Sequence, residues 1–230
     1  MKNATVLSLA IGLLAVVVAP GAAQGFQEVP PTWGLAGSTA YTLRARELQL
    51  GVVSVTDPMS LYVNYGITSD LQVGLWPIYA LRGSFNVGGK FRFSLGPGLE
   101  MALPVHYWYW TGSGSQELHV GIVLGLQVGT ALWLDAGLTV VTGQHCYWWG
   151  CRSVLFSTPH VIAQFALAET ARVVVEVEPM NLKVKAGILV RVLDSIDLRA
   201  TVSLVPSVSA WLGVELRLLL VRPKAGPGGR

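Results

Sequence analysis

Most of this chain alternates apolar and polar residues with a period of two, the pattern of a β-strand with two unlike faces. The alternation is clear over 84–95 and returns over 182–192, 198–204 and 208–220, where the apolar face carries no charge. The chain is 52% hydrophobic, yet every apolar run after residue 18 is interrupted well before the eighteen residues of a membrane helix. The sequence therefore predicts an all-β protein and not a bundle of transmembrane helices.

The same pattern predicts twelve strands, with an uncertainty of about two to four residues at each end. Five connections between them fit three-residue turns, and at four of these the flanking apolar residues fall on one side of the sheet. The alternate connections, notably 110–117 and 142–153, are expected to be longer loops. The predicted strands are 44–54, 59–67, 71–80, 84–95, 99–109, 118–128, 132–141, 155–167, 171–178, 182–194, 198–205 and 208–221.

Short turns at one end and longer loops at the other are typical of an outer-membrane barrel. We therefore predict a transmembrane antiparallel up-and-down β-barrel of about 12 strands, spanning 44–222. The polar face of the strands carries glycines and long ionisable groups of both signs, as the lumen of such a barrel does. The predicted lumen-lining residues are Glu47, Asn64, Lys90, Arg92, Glu100, His119, Asp135, Arg172, Glu176, Lys183, Lys185, Arg191, Arg199, Glu215 and Arg217.

Several aromatic residues fall near strand ends, where amphipathic rings would lie at the depth of lipid headgroups. The predicted aromatic girdle is Trp76, Tyr79, Tyr107, Trp108, Tyr109 and Trp110. The alternative is the packed aromatic core of a soluble protein. Trp133 and Trp211 are expected inside the barrel, because they occupy odd-numbered positions, as the polar residues of their strands do.

The first 23 residues have the features of a cleaved secretory signal peptide: Lys2, an apolar stretch from Val6 to Val18, and small residues up to Ala23. An uncleaved anchor helix is the alternative. Residues 24–43 are assigned to a periplasmic segment before the barrel, although entry into the lumen stays open, and 223–230 to a polar C-terminal tail. These features predict export to the bacterial outer membrane, with its lipid as a partner.

Cys146 and Cys151 lie five residues apart, and exported thiols are usually oxidised, so we expect one disulfide between them. A metal site that includes His145 is the alternative, but its ligand set is incomplete. The formal net charge of +3 gives no strong basic field for nucleic acid. Phosphate loops, dinucleotide fingerprints and complete metal motifs are missing from the sequence, so no cofactor and no metal are predicted.

Three segments resemble small bacterial outer-membrane β-barrel proteins. In these proteins a Thr-Ala and Thr-Leu lead-in opens the first strand, and a Tyr-Gly-Ile-Thr-x-x-Leu stretch forms the first periplasmic turn. The resemblance covers about 35 residues and implies a fold and a location, not an activity. The carboxyl end departs from the family pattern, because Leu220 and Val221 stand where such barrels commonly end in an aromatic residue. The matching segments are 38–43, 47–51 and 65–74.

The first functional hypothesis is a passive channel or small-solute pore, in which inward Lys and Arg residues would favour anionic solutes. A plugged barrel with a structural or assembly role, including self-association through Trp148 and Trp149, stands beside it. A barrel of twelve strands is intermediate between filled and open barrels, so the strand number does not decide between the two. A hydrolase is the third hypothesis: His106 and His119 could face each other across a hairpin. Glu117 is assigned to the apolar face, which leaves these rings without a carboxylate, so we predict no enzyme.

Overall fold

The computed structural model describes residues 38–54, 57–77, 79, 83–168, 170–193, 195–205 and 209–220. The predicted signal peptide, residues 24–37 of the predicted N-terminal segment and the tail at 223–230 lie outside this range. Among the described residues, no helix is both long enough and apolar enough to cross a membrane. Residues Pro179–Asn181 form a 3₁₀ turn.

Twelve antiparallel strands form a closed barrel, because β1 pairs with β12 as well as with β2. The prediction of an all-β, up-and-down barrel of twelve strands is confirmed. The strands are β1 (Glu47–Ser54), β2 (Asp57–Gly66), β3 (Leu71–Leu75), β4 (Ser84–Gly96), β5 (Leu99–Trp110), β6 (Ser115–Val128), β7 (Leu132–Tyr147), β8 (Gly150–Ala168), β9 (Ala171–Glu178), β10 (Lys183–Leu193), β11 (Ile196–Val205) and β12 (Ser209–Leu219).

The five predicted short turns all lie at one end of the barrel, which we call the turn end, and the other end is the loop end. Gly98 and Gly129 have positive φ at the turn end, a conformation that glycine adopts at little cost. The loop-end connections are not uniformly longer, because β1–β2 and β7–β8 are each joined by two residues. That part of the loop prediction is wrong.

The largest difference from the predicted strands is the hairpin of β7 and β8. Pairing continues without a break from Leu132 and Phe165 to Tyr147 and Gly150, so the predicted loop at 142–153 is mostly strand. Gly150 has a φ of 135°, which suits the tight reversal at the tip. Smaller differences are that β6 begins at Ser115 and that β3 ends at Leu75, shortly before a proline that cannot donate a ladder hydrogen bond.

The outer wall of the barrel is apolar. Along β6 the even-numbered residues point outward and are exposed, whereas Gly121, Val123 and Gly125 between them are buried. From Leu118 to Val128 there are ten residue steps, which span roughly 25 Å at a strand tilt of about 40°. Neighbouring strands expose Phe85, Val87, Phe91, Phe93, Leu95, Leu134, Leu138, Val140, Val161, Phe165 and Leu167 on the same surface.

Candidate functional site

The interior of the barrel at its turn end contains a segment of the chain itself. Residues 38–43 precede β1 and are buried, with Thr39 and Ala40 fully inaccessible to solvent. Of the two placements left open for the N-terminal segment, entry into the lumen describes residues 38–43. We call residues 38–43 the plug.

Hydrogen bonds from side chains of the barrel wall hold the plug. The backbone N–H of Ala40 donates to Asp135 Oδ1 at 2.8 Å, and that of Leu43 donates to Gln72 Oε1 at 3.1 Å. Lys90 Nζ donates to the carbonyl oxygen of Thr39 at 3.4 Å. These bonds occupy backbone groups that would otherwise be buried without partners.

Further contacts fix the two ends of the plug. The Thr42 hydroxyl donates to the Ser69 carbonyl at the turn end, and the His160 ring contacts the Ser38 carbonyl at 3.0 Å deeper in the barrel. Followed backwards from β1, the chain therefore runs from the turn end into the barrel and reaches β8 at Ser38. His160 is buried in the wall beside the plug.

Small residues let the plug lie close to the wall. Ala40 packs with Ala102 and Val123, and a Cβ placed on Gly125 would lie 2.6 Å from the Ala40 Cβ. Burial next to Asp135 and Glu100 raises the pKa of the Tyr41 phenol, so it stays protonated. Tyr41 Oη and Asp135 Oδ2 are both buried without a hydrogen-bond partner in the described structure. The plug thus lies in a polar cavity that is incompletely satisfied.

Ion pairs occupy the wall formed by β9 to β12. Glu215 accepts from the Tyr62 hydroxyl at 2.6 Å and from Arg217 Nε at 2.7 Å, and it lies 3.4 Å from Arg199 Nη2. Arg191 pairs with Asp197 at 2.9 Å. Most of the predicted inward cations of this region therefore have acidic partners.

A second ion-pair group lies nearer the loop end. Lys185 Nζ is 2.9 Å from Glu178 and 3.4 Å from Glu176, and Lys183 lies 3.7 Å from Glu178. Arg172 stacks over the Trp133 ring at 4.6 Å, which keeps its guanidinium inside the barrel.

The remaining predicted lumen residues lie at separate places. Asn64 is buried and donates to Gln49 Oε1 at 2.9 Å, whereas Glu47 accepts from the backbone of Arg44 at 2.9 Å. Glu100 has one buried oxygen, Oε2, without a hydrogen-bond partner in the described structure. Arg92 pairs with the exposed Asp70 at the turn end, at 2.8 Å.

The loop end of the lumen holds a carboxylate between two imidazoles. Glu117 accepts from His119 at 2.7 Å and also from His145. The assignment of Glu117 to the apolar face is wrong, because it lies two residues from His119 on one strand and so shares its face. His106 and His119 do approach, with ring centroids 6.5 Å apart. The described residues contain no group of three or more His, Cys, Asp or Glu side chains arranged to hold a metal ion.

The predicted aromatic girdle is wrong for four of its six members. Trp108 stacks on His106 at 4.9 Å and on Trp110 at 6.0 Å, so all three rings lie on the lumen face of β5. Tyr79 contacts Trp108, and Trp76 contacts the buried Tyr62. Tyr107 and Tyr109 have the opposite parity and lie on the outer face, as the girdle requires.

Cys146 and Cys151 form a disulfide across the end of the β7–β8 hairpin, as predicted. Trp148 and Trp149 form the connection between the two strands, and Trp148 is 92% exposed. Trp133 is buried inside the barrel, in agreement with its parity.

Sequence reasoning missed several residues of the interior, among them Gln49, Tyr62, Gln72, His160, Gln164 and Asp197, all of which are buried. Gln72, Gln164 and Asp197 have the same parity as neighbouring lumen residues, so alternation alone could have identified them. The contact between His160 and the plug has no local sequence signal.

No protein-family model matches the chain, and no curated protein is similar to it at a significant level. A solved structure with a similar arrangement is described as a "Bacterial polysaccharide outer membrane secretin". It has 13% sequence identity and a TM-score of 0.40, and the match covers 68% of this chain and 67% of that chain. A likeness this weak carries no functional argument.

Proposed function

We propose that this protein is a bacterial outer-membrane barrel whose bore is closed at rest by its own plug, and which passes small solutes only when the plug is displaced. The observation that carries the proposal is the set of hydrogen bonds from the lumen wall to the backbone of residues 39, 40 and 43.

Membrane placement is supported by the outer wall. Soluble monomers rarely expose contiguous apolar patches larger than a few hundred square ångströms, whereas this barrel exposes large apolar side chains on many neighbouring strands. The band of about 25 Å on β6 matches the height of the apolar band of membrane barrels.

Displacement of the plug is supported by the polar wall around it. A permanently filled barrel could use an apolar core, but here Lys90, Asp135 and Gln72 are buried against the plug. Buried polar groups carry a large desolvation cost, and water entering an emptied bore would remove that cost. Side-chain hydrogen bonds of about 1 to 3 kcal/mol each are also weak enough to be exchanged.

Ion selectivity of the opened bore should be weak. The cations expected to attract anions are paired, since Arg191, Arg199 and Lys185 each contact a carboxylate. Paired charges leave little net field for either sign. This replaces the anion preference expected from sequence.

A glycine substitution tests whether the plug closes the bore. A valine at Gly125 would collide with the Ala40 Cβ and with Asp135 Oδ1, which lie 2.6 and 2.7 Å from an added Cβ. The matched control is Gly112→Val in a loop, where an added Cβ meets no atom within 4 Å. Both variants are folded into liposomes, and their folding is checked by heat-modifiable mobility.

Uptake of a small sugar is then followed by liposome swelling. Gly125→Val should swell the liposomes at least tenfold faster than Gly112→Val and the unmodified protein. Equal rates for all three folded proteins would contradict closure by the plug.

A further inference from the structure

The β7–β8 hairpin extends well beyond its neighbour on one side. β8 contains residues 150–168, but its pairing with β9 runs only from Val161 to Ala168. From Val161 toward the loop end, the chain that follows β9 is no longer a strand but the 3₁₀ turn Pro179–Asn181. In this turn, Met180 Sδ contacts the Ser157 hydroxyl of β8. Within the described chain, residues 150–160 of β8 therefore have a strand partner on the β7 side alone.

The backbone groups on the other side can be identified from the ladder. The N–H of Ala166 donates to Ala131 on the β7 side, and successive residues of a strand point their backbone groups in opposite directions. Odd-numbered residues of β8 therefore point away from β7, which leaves the backbones of Ser153, Leu155 and Ser157 on the edge. Pro159 is the next odd-numbered residue and has no N–H, as is usual for proline at a strand edge.

This edge lies above the apolar band. Val140 is the last apolar outward residue of β7, and it pairs with Ser157. The eight residue steps from Val140 to Trp148 rise about 20 Å at the usual strand tilt. Headgroup regions are about 5 to 8 Å thick on each side of a bilayer, so the tip projects into water. Leu155 and Ser153 pair with Thr142 and Gln144, so they lie roughly 5 and 10 Å above Val140, at headgroup level and just beyond it.

Apolar side chains surround the edge despite this location. Leu155 is 76% exposed, and Met180 and Leu182 in the segment after β9 are 67% and 72% exposed. At the tip, Trp149 stacks on Tyr147 at 4.9 Å and meets Trp148 edge-on at 5.0 Å. The disulfide of Cys146 and Cys151 ties the two strands below these rings. Pre-ordered aromatic residues are efficient anchors, because little conformational entropy is lost on binding.

We infer that the exposed edge of β8 is a docking site for an extended segment of another polypeptide, which adds to the sheet as a strand and contacts Leu155 and the aromatic tip. An unpaired edge presents a row of N–H and C=O groups, and a strand supplies their complement. The inference rests on the membrane placement proposed above.

A second copy of this chain does not fit the edge. Barrels in one membrane present their loop ends on the same side, so their β8 strands run in the same direction. Antiparallel pairing of two β8 edges requires a two-fold axis perpendicular to the strands, which that arrangement does not allow. The partner is therefore a different chain on the loop side.

Hydrogen exchange on the full protein in detergent gives the first test. In the isolated protein, the amides of Ser153, Leu155 and Ser157 should exchange at rates near those of exposed amides, whereas Val154 and Phe156, which face β7, should be protected. Protection of the odd-numbered amides in the isolated protein would overturn the inference. Protection that depends on concentration would identify a second copy as the occupant, and protection that does not would identify the chain's own segment.

Binding is tested with a pool of nine-residue synthetic peptides in which valines alternate with randomised residues. Selected peptides should protect the odd-numbered amides of β8 at least tenfold. They should bind Ser153→Pro at least fivefold more weakly than Ser153→Ala, because only the proline removes an edge N–H. N-methylation of the peptide amides that face β8 should abolish binding. N-methylation of the amides on the opposite edge of the peptide should not.

No binder in the pool, or selected peptides that bind both Ser153 variants equally, would overturn the inference. The readout in detergent is independent of conductance and of membrane insertion, so failure of the docking site and failure of the proposed function can be distinguished.

Discussion

The backbone N–H of Ala40 donates a 2.8 Å hydrogen bond to Oδ1 of Asp135, a residue 95 positions later in the chain. The bond joins the segment before the first strand to the seventh strand, inside the closed barrel. Because neither group is accessible to solvent, each would lose its hydrogen bond to water without the other. This contact ties the N-terminal segment to the wall of the barrel.

Loss of the Asp135 carboxylate should loosen the plug. Leaving the buried Ala40 N–H without its acceptor costs about 1 to 3 kcal/mol, so Asp135→Ala should raise exposure of the plug by about fivefold or more. The measurement is the rate at which a thiol reagent labels a Ser38→Cys variant, whose position is 8% exposed in the unmodified barrel.

The matched control is Asp70→Ala, which removes an exposed carboxylate at the turn end that pairs with Arg92 and not with the plug. If both substitutions change the labelling rate equally, Asp135 does not hold the plug.

A charge on the outer wall tests membrane placement. Leu124 is 47% exposed and lies near the middle of the apolar band of β6. In a membrane, Leu124→Arg should cost about 2 to 4 kcal/mol of folding free energy, whereas Gln116→Arg above the band should cost about 0 to 1 kcal/mol.

Folding into lipid vesicles at increasing urea measures both effects. Equal stability of the two variants would be expected of a soluble barrel, since an exposed arginine in water costs little. That result would contradict the placement of the barrel in a membrane.

Removal of the Glu215 charge should destabilise the whole barrel. Glu215 is 3% exposed and faces Arg199, Arg217 and Tyr62. Glu215→Gln leaves buried arginines without their partner, and breaking a buried pair in this way costs about 3 to 5 kcal/mol.

Asp70→Asn is the comparison, because Asp70 is 60% exposed in its pair with Arg92 and such exposed pairs contribute about 1 kcal/mol or less. Urea unfolding of both variants in vesicles should show the difference. A similar small loss for both would mean that water reaches Glu215.

The strand number and the closed fold could be predicted because each crossing of the sheet alternates apolar and polar residues. The upper halves of β7 and β8 were missed because Thr142, Gln144 and Ser153 point outward above the apolar band, where the contrast between the faces disappears. The turn end was easier to predict, since parity on both sides of each turn constrains the register.

The interior was predicted less well than the wall. The alternation of positions along each strand assigned Lys90, Asp135 and Glu215 to the lumen face. The same alternation also puts Glu117 and Trp108 on the lumen face, but it was not applied to them, and they were assigned to the outer face. The plug could be raised only as one of two placements for residues 24–43. Residues 38–43 have no periodic pattern, and their position depends on partners such as Asp135 and His160, which are distant in sequence.

Single-channel recording of the unmodified protein in a planar bilayer tests the central claim most directly. Insertion is confirmed first by the heat-modifiable mobility of the same sample, and Gly125→Val serves as the opened reference. With the plug bonded to Asp135 and Gln72, the unmodified barrel should show no stepwise current, and Gly125→Val should show steps with little ion selectivity. Steady stepwise conductance by the unmodified protein would contradict a bore closed by residues 38–43.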